Sequence, residues 1–163
     1  MLKSGDKKMS GQQLFQMVFC SFIILTTLSL RADSEAAGKS SPIPLRLEPS
    51  AIPYSEMNTD LPLWPQEDIL SGVSEHRYKT LYSGDIDVSI YEAKPMKLRL
   101  RDFPVDEFVT VISGKLILTA DGGSPQHFDV GESVLVPKGF TGTWEMQGNF
   151  REMVVIINKA FRE

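Results

Sequence analysis

Glu107 is the carboxylate in this chain best placed for chemistry, because it heads an alternating run in which Val109 and Val111 share its face. A carboxylate in apolar company can hydrogen-bond or ion-pair with an amine, amide or guanidine-like ligand. Where burial raises its pKa it can also act as an acid or base. Arg99 and Arg101 on the preceding strand supply the competing expectation, an ion pair with Glu107, since an unpaired buried charge is costly. Gly142, Trp144 and Met146 share a second face by the same alternation. Tyr91 offers a hydroxyl either to a pocket or to the end of the fold.

Other reactive types lead nowhere. Cys20 is the only cysteine and lies in an apolar N-terminal run, which leaves the folded part no disulfide framework and no thiol nucleophile. Ser113 precedes a turn glycine with no base nearby in sequence, so a serine nucleophile is not expected. His76 sits in the polar stretch SEHRYK and reads as solvated. His127 alternates with Phe128 and Val130, which places the two apolar residues inward and His127 and Asp129 outward. Phe108, Phe128 and Phe140 read as core or interface framework. Net charge is -4, with no basic run, which argues against a nucleic-acid partner.

The elements that must position these residues read as all-β from Tyr78 onward. Short strands are expected over 79–83, 86–93, 96–101, 107–113, 115–120, 126–130, 133–137, 143–147 and 151–157, broken by turn residues at sandwich or barrel spacing. Ser113-Gly114 and Asp121-Gly122-Gly123 read as hairpin turns. Residues 37–74 form a linker or strap, rich in Pro and Ser over 37–65, and a short helical turn is expected over 65–71. Residues 1–36 carry a basic head, an apolar middle and a small-residue exit. They read as a signal peptide or, if uncleaved, an N-terminal anchor.

Together, Tyr91-Glu92, Asp106-Glu107-Phe108, Ser113-Gly114, Gly131-Glu132, Val136-Pro137-Lys138-Gly139-Phe140 and Gly142-Thr143-Trp144-Glu145 resemble the cupin superfamily. Within it, the chain resembles the single-domain ureidoglycine aminohydrolase-like cupins, over about residues 75–158. The resemblance implies an all-β, RmlC-like double-stranded β-helix, a jelly-roll barrel over 75–163, and pairing as a homodimer. It also implies that the faces of Glu107 and Trp144 look into the lumen. Metal-bearing cupins hold two histidines one residue apart, then a glutamate, then a later histidine. The matching positions here are Leu100 and Asp102, or Arg101 and Phe103, and later Gly142; none is histidine. The glycine at 142 is expected to free room for the Trp144 indole.

The resulting expectation is an exported protein, periplasmic or secreted, whose lumen binds a small polar molecule without metal or cofactor. Glu107, Trp144, Tyr91, Arg101, Val109 and Met146 are the expected site. One alternative is a metal-independent hydrolase or isomerase using Glu107 as acid/base. The other is a non-catalytic envelope interaction protein. In any of these readings the membrane is touched only through the N-terminal segment, if that segment is uncleaved.

Overall fold

The computed structural model describes residues 43–157; the N-terminal export or anchor segment and Cys20 lie outside the described residues. Among the described residues, eight strands form one continuous hydrogen-bonded sheet: β1 (Ile69–Gly72), β2 (His76–Ser83), β3 (Ile86–Ala93), β4 (Met96–Leu100), β5 (Glu107–Ala120), β6 (Gln126–Phe128), β7 (Ser133–Val136) and β8 (Gly142–Ile157). The all-β jelly roll expected from the sequence is present.

The two longest strands make the barrel. The first half of β8 pairs with β4 and with the second half of β5; its second half pairs with β3 and with the first half of β5. Each long strand thus crosses from one face of the sandwich to the other, and the core is enclosed between the two half-sheets. Val109, Val111, Leu116, Leu118, Val154 and Ile156 are all buried along these strands. The alternation of β-branched and polar residues is what lets one face be buried while the other stays wet.

Several sequence expectations change here. Ser113-Gly114 is not a hairpin turn. It is an irregularity inside β5, which runs unbroken from Glu107 to Ala120, with register shifts on either side of Ser113. The buried positions switch from odd to even across it, because an extra residue in one strand turns the next side chain to the opposite face. Gly114 has φ 73° and Gly148, close by on β8, has φ 71°. A Cβ on Gly114 would fall on the Gln147 carbonyl oxygen, so only glycine allows the two strands this approach. The expected helical turn shrinks to a 3₁₀ turn at Gln66–Asp68, followed directly by β1. Val130, read as inward, is 61% exposed, because β6 ends at Phe128 and the chain turns away.

Residues 43–68 form no strand of their own: residues 52–56 lie against Arg77, Lys79 and Arg151 on the outward side of β2 and β8, whereas Leu61, Pro62 and Trp64 reach the inward side. Asn58 makes a single bridge to Tyr78. Arg151 fastens this strap. Its guanidinium donates to the carbonyls of Pro49 and Ile52 and to Met57 Sδ, and Nε and Nη2 both donate to Glu92 Oε2. Among the described residues no helix is long and apolar enough to cross a membrane.

Candidate functional site

Strand parity aims one set of side chains from β2, β3, β4, β5 and β8 at a common space. Lateral register aligns Tyr78 with Tyr91 and Tyr91 with Glu152, and one step along aligns Thr80 with Ser89 and Ser89 with Val154. The space is a cavity of about 230 Å³. Its walls are mainly Trp144, Phe103, Leu98, Leu100, Met146 and Ile90, and the strap residues Leu61, Pro62 and Trp64 close one side. The Phe103 and Trp144 rings stack with centroids 6.0 Å apart.

Three contacts hold the strap at the cavity. Trp64 Nε1 donates to the Tyr91 hydroxyl at 3.3 Å, and the Trp64 backbone N–H donates to Ser74 Oγ at 2.8 Å. The His76 imidazole hydrogen-bonds the Pro62 backbone, whose carbonyl is its one polar group, and stacks on Tyr91 with centroids 5.5 Å apart.

Glu107 enters this space 4% exposed, and its Oε2 has no hydrogen-bond partner. Burial alone pushes its pKa up to about 8, because the low-dielectric wall disfavours the charged form. Glu152, on neighbouring β8, lines the same cavity with its own Oε2 unpartnered. Its pKa is raised well above its ordinary value, chiefly by burial and further by the nearby Glu107 charge. Burial, with these two carboxyls adding, also raises the Tyr91 hydroxyl, so it stays protonated.

Of the residues expected at the site, Glu107, Trp144, Tyr91 and Met146 line the cavity together. Arg101 does not: its side chain is 58% exposed and pairs with Asp68 at 2.5 Å. The inward positions of β4 are Met96, Leu98 and Leu100, so Arg99 and Arg101 fall on the outer face, where Arg99 grips Asp121. The expected ion pair between Glu107 and an arginine is therefore absent. Asp102 is exposed, at a tight corner with φ 52°. Val109 is fully buried but packs in the core behind the wall rather than in it.

Two further expectations are corrected. His76 is not solvated; it is 8% exposed and lines the cavity, because β2 begins at that residue and turns it inward. Gly142 does not make room for the indole: a Cβ there would meet the Thr119 carbonyl oxygen, the Phe140 ring and the Ala120 backbone. Its glycine serves a close approach of β5 and β8. Sequence reasoning missed Glu152 altogether. The alternation of Glu152 with Val154 and Ile156 carried the signal, since a carboxylate in phase with two apolar residues on an inward face is the same pattern that singled out Glu107.

The histidine and glutamate set of a metal-bearing cupin does not fit these residues. Leu100 and Phe103 are packed in the core, Arg101 and Asp102 are exposed, and Gly142 has no space for a side chain. Among the described residues, no three His, Cys, Asp or Glu side chains group as metal ligands.

Residues 80–155 match the family model of the EutQ-like cupin domain. No curated protein matches the chain in sequence. Among solved structures, a protein of unknown function of the DUF861 family from Pseudomonas syringae pv. tomato is similar, with TM-score 0.58 and 17% identity over 68% of this chain and 46% of that one. The chain thus spans less than half the length of that relative. The polyketide cyclase RemF from Streptomyces resistomycificus superposes with TM-score 0.50 and 15% identity, over 70% of this chain and 79% of its own. A putative ethanolamine utilization protein Q from Salmonella typhimurium gives TM-score 0.45 and 15% identity, over 51% of this chain and 69% of its own. At these identities what is shared is the cupin fold.

Proposed function

We propose that this cupin-fold barrel binds one small organic molecule in its lumen, with an apolar or aromatic body and a polar group that meets Glu107. The observation that carries this is the cavity itself, about 230 Å³, walled by aromatic and aliphatic side chains and closed on one side by a fastened strap. Apolar bulk with few oriented polar groups is the general make-up of a small-ligand site. A ligand polar throughout would leave its polar atoms unpaired against these walls.

Both tryptophans of the chain, Trp64 and Trp144, line the cavity. Tryptophan emission therefore reports on the lumen alone. A screen of small amphiphiles is expected to yield a saturable change in emission together with a rise in melting temperature. A broad screen that moves neither signal would overturn the reading.

A second reading, acid/base catalysis of the ureidoglycine aminohydrolase-like kind, is favoured by the Glu107 carboxyl at about pKa 8, near the working pH where proton transfer is most effective. Ammonia release from ureidoglycine that is lost in Glu107→Gln would support it; no release by the unaltered protein would remove it. Export and pairing belong to the same proposal. Export rests on the pattern of residues 1–36. Pairing rests on Phe108, 43% exposed beside its exposed cross-strand neighbour Leu135. Sedimentation of Phe108→Glu as a monomer, where the unaltered chain is a dimer, checks the second.

A further inference from the structure

We propose that the lumen selects an organic cation, an amine or amidine on an apolar or aromatic body, over neutral and anionic molecules of the same shape. The inference rests on the lumenal-binding reading and narrows its ligand class. The titratable side chains that face the cavity are His76 and Tyr78 from β2, Asp87 and Tyr91 from β3, Glu107 from β5 and Glu152 from β8. Among the described residues no lysine or arginine lines it. The nearby guanidinium groups are engaged outside: Arg99 by Asp121, Arg101 by Asp68, and Arg151 by Glu92 and the strap. Among the described residues no cation pairs with Glu107 or Glu152, whose Oε2 atoms look into the cavity unpartnered.

The unpartnered atoms agree in kind. Glu107 Oε2, Glu152 Oε2 and His76 Nδ1 are the buried side-chain polar atoms lacking a hydrogen bond among the described residues. Burial disfavours charge on His76. A neutral imidazole that donates one N–H to the Pro62 carbonyl presents its other nitrogen as an acceptor. Ionised carboxylates accept only. A ligand that draws the carboxyls into this form brings donors, and an ammonium or amidinium brings donors and a compensating charge together. The Trp144, Phe103 and Trp64 rings add π faces that attract a desolvated cation.

Without ligand at neutral pH, burial keeps the two carboxyls mostly protonated, so the empty lumen holds little bare charge. Arrival of the cation displaces a proton: the O–H bond of the carboxyl breaks, the proton leaves to solvent, and the carboxylate remains paired with the ammonium. Affinity for the cation thus rises with pH while the carboxyl is still protonated in the free protein, by up to about tenfold per pH unit for one released proton. Asp87 is already hydrogen-bonded by Ser83 at 2.6 Å, so it is not the group that exchanges.

Three probes of one shape test this on the full chain by calorimetry: phenethylamine, phenethyl alcohol and phenylacetate. Phenethylamine is expected to bind at least tenfold tighter than either analogue at pH 8, with a heat that varies with the buffer's ionisation enthalpy as proton release requires. Glu107→Gln and Glu152→Gln, near-isosteric and relieved of a buried carboxyl, are expected to stay folded, and one or both to lose most of that preference. Equal binding of amine and alcohol without proton release would overturn the cation inference and leave the lumenal reading standing. If no probe binds and a wider screen also leaves the tryptophan emission unmoved, both fall. Tighter binding of phenylacetate would overturn the inference outright.

Discussion

Glu107 and Glu152 face one cavity from the paired strands β5 and β8, and each carries an Oε2 atom with no hydrogen-bond partner. The fold tolerates this because burial raises both pKa values, so that at neutral pH the carboxyls are mostly uncharged.

Stability should therefore fall as the solution turns alkaline. The folded pKa of Glu107, about 8, lies above its usual 4.5, so the folded state binds more protons between those values and loses its advantage as pH rises. His76 works the other way below its ordinary 6.5, since its folded pKa is lowered. The clean window is thus pH 6.5 to 8, where the unfolding free energy should drop by up to about 1.4 kcal/mol per pH unit for each such carboxyl. Glu107→Gln should show a shallower slope and, at pH 9, a higher melting temperature than the unaltered protein. Equal slopes in denaturant titrations across this window would contradict the assignment.

Arg151 is the one side chain that ties residues 49–57 to the barrel from within β8. Replacing it with Met leaves Glu92 unpaired and frees two strap carbonyls, at a cost of about 2–4 kcal/mol. Limited proteolysis should then cut within residues 43–57 well before the barrel. A variant whose strap resists protease as before would show that its other contacts, such as Arg77 with the Tyr54 carbonyl and the Asn58 bridge to Tyr78, suffice to hold it.

Gly114→Ala and Gly131→Ala should differ sharply although both glycines have positive φ. At Gly131, φ is 88° with open space around the new methyl, so the cost is about 1–2 kcal/mol of backbone strain. At Gly114 the methyl also strikes the Gln147 carbonyl and the Phe150 backbone, and the loss should exceed that of Gly131→Ala by about 2 kcal/mol or more. Chemical denaturation of the pair measures the difference directly.

The contacts at Trp64 make residues 61–64 a cover for the cavity. Ser74→Ala removes the acceptor of the Trp64 backbone N–H and should cost about 1 kcal/mol. Its clearer signature is kinetic: faster amide exchange at Trp64 and faster ligand dissociation, with the barrel strands unchanged. Unaltered exchange at Trp64 would place the closure of the cavity elsewhere.

The sequence by itself determined the jelly roll and one half of the site. Alternating apolar residues and turn-forming glycines dictate strands and corners locally; the same alternation groups Glu107 with Val109 and Trp144 with Met146, and the cupin resemblance turns both faces to one lumen. Alternation fails wherever the strand is irregular. The extra residue at Ser113-Gly114 reverses the phase of β5, which no count along the sequence reveals, and β8 runs unbroken through a segment that looks like two strands. Tertiary structure decided the rest, because burial and pairing depend on residues distant in the chain. Arg101 turned out to serve Asp68 from the strap, leaving Glu107 without a counter-ion, and His76 was carried inward by the first residue of β2. Glu152 became the second carboxyl of the lumen only once β8 was laid against β5. Their charge states follow from the walls around them, and those walls exist only in the folded barrel.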